Sequence, residues 1–178
     1  IEKGYMGGIC ALTGGTILNC YTQSTIYHVN TSAIAGGIVG SANGNILNCY
    51  SKENQFTSSD KNNRLGSIAG MSTPRTTQYI NNCYIFHSQN TQYWGAAVGT
   101  SSKVAIQYFY YNRGEVCKTK DAKTTLSDTS LYDSDYSIDS VHISQLLNEW
   151  VETTGAATFP NYTFNKWMIA ADSSACFQ

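Results

Sequence analysis

The sequence predicts an all-β fold: a right-handed parallel β-solenoid of about four coils with a small C-terminal α/β cap. Three observations carry that expectation. A small apolar step flanked by Gly or Ala recurs through the first two thirds of the chain, and each copy is followed by Ile-x-Asn-Cys-Tyr or a worn form of it. The Cys position advances by 29, then 34, then 26 residues, and self-similarity at such a period means stacked units. Each repeated stretch is short, β-prone and bounded by turn residues, with no helical period.

The copies run in order. Gly7-Gly8-Ile9-Cys10-Ala11 precedes Ile17-Leu18-Asn19-Cys20-Tyr21, and Gly36-Gly37-Ile38-Val39-Gly40 precedes Ile46-Leu47-Asn48-Cys49-Tyr50. Gly66-Ser67-Ile68-Ala69-Gly70 precedes Ile80-Asn81-Asn82-Cys83-Tyr84. In the worn fourth copy, Gly95-Ala96-Ala97-Val98-Gly99 precedes Ile106-Gln107-Tyr108-Phe109-Tyr110, with Tyr108 where Asn stood and Phe109 where Cys stood. Asn43-Gly44 and Lys52-Glu53-Asn54 bound the strand of the second copy. In strict alternation Ile46, Asn48 and Tyr50 would share one face and Leu47, Cys49 and Ser51 the other, so one copy leaves the buried face open. Stacking makes ladders of like residues about 4.8 Å apart. Cys20, Cys49, Cys83 and Phe109 form one expected inward ladder, and Ile9, Ile38, Ile68 and Ala97 another. Asn19, Asn48 and Asn82 either stack amide to amide or mark a bend in which each side chain bonds its own turn; the bend is favoured. The small residues beside each apolar step are expected to allow tight turns, since Gly tolerates positive φ.

Three cysteines at matched positions invite a disulfide or metal reading, and ladder geometry argues against both. Side chains on neighbouring rungs point the same way, with Cβ atoms about 4.8 Å apart where a disulfide needs about 3.8 Å. No CxxC or HxxxH pair supplies converging zinc ligands. Buried free thiols are expected. Cys10, Cys117 and Cys176 fit no pattern, and a bridge between Cys117 and Cys176 would imply an oxidising compartment.

The repeats resemble the GLUG motif, a Gly-apolar-apolar-Gly repeat with a downstream Asn-Cys-Tyr, found in bacterial cell-surface proteins of the Bacteroidetes type and in streptococcal immunoglobulin A-cleaving metallopeptidases. Gly37-Ile38-Val39-Gly40 matches it outright; the first copy ends in Ala11, the third begins with Ser67 and the fourth with Ala96. The resemblance covers residues 4–110. It implies a β-solenoid module at the cell surface or outside the cell, flanked by other domains, with adhesion as its expected role, and it carries no catalytic residues.

Three regions are expected: repeats over 1–111, a polar surface excursion over 112–140, and a cap over 141–178. Asp133, Asp135 and Asp139 lack the Gly and distal Glu of a calcium loop and read as a solvated acidic stretch. Ile143, Leu146, Leu147, Trp150 and Val151 fall on one helical stripe that ends by Gly155, and Tyr162–Ile169 adds a strand or two. A cap is expected because open stack ends invite edge-to-edge aggregation. Trp150 and Trp167 are expected in its core with Phe164 and Leu147.

Composition narrows the function. Charged residues are 13% of the chain, with 11 basic and 12 acidic, and no run of either sign suggests nucleic acid or an anionic membrane as partner. No apolar run reaches the roughly 18 residues of a membrane helix. The first residues, without Met, suggest an excised or processed form with targeting information upstream. His28, His87 and His142 lack triad or metal partners, no phosphate-loop or nucleophile-elbow motif occurs, and the repeats hold only Glu2, Glu53 and Asp60 as acids. No cofactor and no enzymatic activity are expected. The best binding candidate is Tyr93, Trp94, Tyr108, Tyr110 and Tyr111, since sugar rings stack on aromatic faces with a polar edge. The expected function is adhesion or spacing through a host protein or glycan. A carbohydrate-binding or carbohydrate-cleaving β-helix is the rival function, and an antiparallel sandwich the rival fold.

Overall fold

In the computed structural model the described residues are 4–23, 25–28, 32–53, 55–57, 60, 63–72, 78–86, 89–90, 94–95, 97–101, 104–111 and 140–178. Successive passes of the chain lay short strands on one another. The first pass holds β1 (Gly4–Gly7), β2 (Cys10–Thr13), β3 (Ile17–Leu18), β4 (Tyr21–Gln23) and β5 (Ile26–His28). The second holds β6 (Ala33–Gly36), β7 (Val39–Ala42), β8 (Ile46–Leu47), β9 (Tyr50–Lys52) and β10 (Gln55–Thr57). The third holds β11 (Arg64–Gly66), β12 (Ala69–Ser72), β13 (Gln78–Phe86) and β14 (Gln89–Asn90), and the fourth β15 (Trp94–Gly95), β16 (Val98–Ser101) and β17 (Val104–Tyr111). Pairing between passes is parallel: β1-β6-β11-β15, β2-β7-β12-β16, β5-β10-β14, and a six-stranded sheet of β3, β4, β8, β9, β13 and β17.

The predicted regular right-handed solenoid of about four coils with a terminal cap does not describe this arrangement. The chain is strand-rich and mostly parallel, but its strands are distributed over several small sheets of unequal membership, and it carries a helix. The reason lies in the unequal repeat lengths. Gly4↔Ala33, Cys10↔Val39, Ile17↔Ile46 and Tyr21↔Tyr50 pair the first two passes at a constant offset of 29. In the third pass the offset grows from 30 at Val39↔Ala69 to 34 at Ile46↔Ile80, and in the fourth it is 29 at Gly66↔Gly95 but 26 at Cys83↔Phe109. Extra and missing residues therefore fall in the connections of the third and fourth passes, and only the first two passes keep one register throughout. Where β3/β4 and β8/β9 are broken in two, β13 and β17 run unbroken.

A left-handed corner decides which face is buried. Asn19, Asn48, Asn82 and Tyr108 all have φ between 52° and 54°. That conformation resets the alternation, so Ile46 and Cys49 both face the interior core while Tyr50 joins a second cluster outside. Neither set expected from strict alternation survives, because the corner inverts parity after Asn48. The repeat glycines serve a different need from the one expected: Gly36 and Gly66 do not take positive φ. A Cβ at Gly36 would lie 2.1 Å from the Val39 carbonyl oxygen and 2.7 Å from Ala69 Cα, so glycine is required there for close approach.

The C-terminal segment lies along a flank instead of capping an end. Helix α1 (Ser140–Trp150) runs into a single π-type turn, Val151–Gly155, and a short α2 (Ala156–Thr158), followed by the antiparallel pair β18 (Trp167–Ile169) and β19 (Ala175–Phe177). Ile143, Leu147, Trp150 and Trp167 bury against Tyr50, Tyr84, Phe86 and Tyr110 of three passes, and Tyr162 and Asn165 reach Thr16 and Asn19 of the first. One helix, one hairpin and the loop that joins them thus hold all four passes side-on. Of the excursion expected over 112–140, residues 112–139, with their aspartates and Cys117, lie outside the described residues, and Ser140 opens α1.

Candidate functional site

What holds the flank in place is a column of asparagines. Asn48 Nδ2 donates to Asn19 Oδ1 at 2.7 Å, and Asn82 Nδ2 donates to Asn48 Oδ1 at 2.7 Å. The amides stack, so the favoured expectation that each bonds its own turn is corrected, while the bend itself is present in every copy. The second hydrogen of each amide points across to the C-terminal segment, at 3.0 Å to the Asn165 carbonyl from Asn48 and 3.1 Å to the Leu147 carbonyl from Asn82. Asn19 Nδ2 donates to the Thr163 carbonyl at 2.8 Å, and Trp167 Nε1 donates to Asn48 Oδ1 at 2.7 Å. Only Asn has both the tolerance for left-handed φ and the paired donor and acceptor that this corner needs. The column stops at the fourth pass. There Tyr108 occupies the left-handed position, and buried Asn82 Oδ1 has no partner.

The cysteine ladder lies on the inner side. Cys49, Cys83 and Phe109 are fully buried in the interior core, Cys83 pairs with Phe109 in register, and Cys20 packs partly buried at the end of the row. Cys10, Cys20, Cys49, Cys83 and Cys176 are free thiols. Burial pushes the Cys49 thiol far above its ordinary value, which leaves it without nucleophilic character. Among the described residues no group of three His, Cys, Asp or Glu could hold a metal ion.

The predicted aromatic group is only partly assembled. Tyr93 lies outside the described residues, Trp94 opens β15 opposite Leu65, and Tyr111 closes β17 opposite Ile85. Tyr108 and Tyr110 do come together, and residues from the C-terminal segment complete their surroundings. Tyr108, Tyr110, Glu149, Trp150, Thr153 and Thr154 line a half-open cleft of about 230 Å³ over Leu146. The π-type turn directly after Trp150 places both threonines beside Glu149, and such single turns recur at functional sites. Gly155 packs against the indole: a Cβ there would meet the Trp150 ring at 2.5 Å, so only glycine lets the indole seat. Trp150 is held edge-on by Phe164 at 4.9 Å and tilted against Tyr108 at 6.3 Å. Its indole N–H, unlike that of Trp167, is buried without a partner.

Trp150 was expected in the C-terminal core, and it is there, but it also forms a wall of the cleft. Glu149, Thr153 and Thr154 carried no sequence signal. They sit on the polar flank of a stripe that reads as core, and only docking onto β17 gives them a neighbour. No protein-family model, no curated protein and no solved structure matches this chain.

Proposed function

We propose that this chain is a non-catalytic binding module of a bacterial surface protein, in which the stacked strands serve as spacer and the Tyr108–Trp150 cleft holds a single sugar ring of a glycan. The observation that carries this reading is the cleft itself, where Tyr108 and Trp150 stand beside the polar groups of Glu149, Thr153 and Thr154. Tyr108 offers a face for the ring, while Glu149 and the two threonines offer rim hydrogen bonds. A volume of about 230 Å³ lies below the roughly 300 Å³ at which drug-sized pockets begin, which suits one ring better than a chain of them. Among the described residues the cleft carries one carboxylate, Glu149, whereas glycoside cleavage usually uses a pair, so binding is favoured over hydrolysis. The resemblance of residues 4–110 to the GLUG motif supports the surface location and the adhesive role.

The test is a glycan array followed by titration of each binding sugar into ¹⁵N-labelled protein. The Trp150 indole resonance should move while that of Trp167 stays, and Glu149→Ala with Thr154→Val should weaken binding at least tenfold. Absence of any glycan binding, or binding unchanged in the double variant, would refute the assignment.

A further inference from the structure

The first pass presents a surface that the other passes bury. Tyr21, Tyr50, Tyr84 and Tyr110 are the same repeat position, yet Tyr21 is 52% exposed while the others are 5% or less. Ile9 is 45% exposed where its counterparts Ile38 and Ile68 are fully buried, and Leu12 is 58% exposed where Ser41, its register partner, is buried. Among the described residues β1 to β5 each pair on one side only, with β6 to β10. Exposed edges are normally blunted by Lys, Pro or an inward charge. None of these five strands contains Lys, Arg, Asp, Glu or Pro. Among the described residues the edge is therefore apolar and aromatic, exposed at Ile9, Leu12 and Tyr21, while Ile17 of β3 and Tyr27 of β5 are buried.

We infer that this edge is an interface for one further parallel pass carrying the same Gly-apolar and Asn-Cys-Tyr repeat. Two ring stacks end at it, and the strand register fits it. The Tyr21 ring already stacks on Tyr50 at 4.8 Å and 8°, with its other face free to take a third tyrosine at the same spacing. Tyr27 stacks on Phe56 at 4.7 Å and 7° in the neighbouring sheet, so the ring spacing matches the strand spacing twice. The constant offset of 29 between the first two passes means that a preceding pass of equal length meets Gly4, Cys10, Ile17 and Tyr21 without adjustment. The opposite edge of a second copy is a poor mate, since there Tyr110 is already buried and Tyr108 and Phe109 replace the repeat's Asn and Cys. This inference is independent of the cleft and its ligand.

The experiment places a copy of residues 4–32 directly ahead of residue 4 and, in a second chain, a copy of 33–61. In at least one, the added pass should fold in a single transition with the rest, raise Tm by several degrees, and slow amide exchange over 4–23 at least tenfold. Added residues that exchange as unfolded chain in both, with exchange over 4–23 unchanged, would overturn the inference. So would self-association of the original chain abolished by Leu12→Lys, which would make a second copy the occupant.

Discussion

Replacing Tyr108 by Asn should stabilise the fold relative to replacing it by Ala, although both remove the same ring. Tyr108 holds φ at 52°, a conformation that costs an L-residue other than Asn, Asp or Gly about 1 kcal/mol. Directly below it, Asn82 Oδ1 is buried and unpaired, at a penalty of about 1–3 kcal/mol. An Asn at 108 relieves both, because its Nδ2 would stand over Asn82 Oδ1 as Asn82 stands over Asn48 and Asn48 over Asn19, each at 2.7 Å. Ala relieves neither. The two variants lose the tilted contact with Trp150 alike, so their difference isolates the corner at about 2 kcal/mol or more, roughly 5 °C in Tm for a chain of this size. Urea and thermal unfolding of the two proteins measure it. An Asn variant no more stable than the Ala variant would refute the view that the column is limited by the residue at its fourth position.

Asp172 accepts a hydrogen bond from the nearly buried ammonium of Lys52, and this contact and the Ser174 hydroxyl hold its carboxyl below the usual range. A depressed folded pKa adds stability that is complete above the unfolded value of about 3.9 and is lost as pH falls through the folded one. Asp172→Asn should therefore destabilise by about 1 kcal/mol at pH 7 and flatten the acid limb below pH 4; an unchanged acid limb would contradict this. Gly36→Ala should cost about 3 kcal/mol or more, since its Cβ meets the Val39 oxygen at 2.1 Å, whereas Gly14→Ala, with nothing within 4 Å, should be near neutral in denaturant unfolding. Cys49 and Cys83 should stay unmodified by a thiol reagent in the native state and react on denaturation, as mass spectrometry of the labelled peptides would report.

The repeats were legible because stacking demands like residues at like positions, and Cys49, Cys83 and Phe109 lie where a ladder requires them. The regular solenoid was not, because register differences of four residues in one connection and three in another are invisible until the strands pair. Asn48 shows the limit at a single residue. Its identity signals a corner, but whether its amide turns back on its own strand or reaches Asn19 depends on a rung 29 residues away. The flank was hidden for the same reason. The stripe Ile143, Leu147, Trp150 announces an apolar partner without saying which face of the stack it covers. Glu149 and Thr154 become site residues only once that face is known to carry Tyr108 and Tyr110.

Side-chain amide hydrogen exchange along the asparagine column tests this account most directly, since each of Asn48 and Asn82 spends one hydrogen on the rung below and the other on the C-terminal segment. Both Nδ2 hydrogens of Asn48 and Asn82 should exchange only with global unfolding, while Asn19, at the edge with one bond to the Thr163 carbonyl, should exchange faster. Exchange of Asn48 and Asn82 at the rate of a free amide would contradict it.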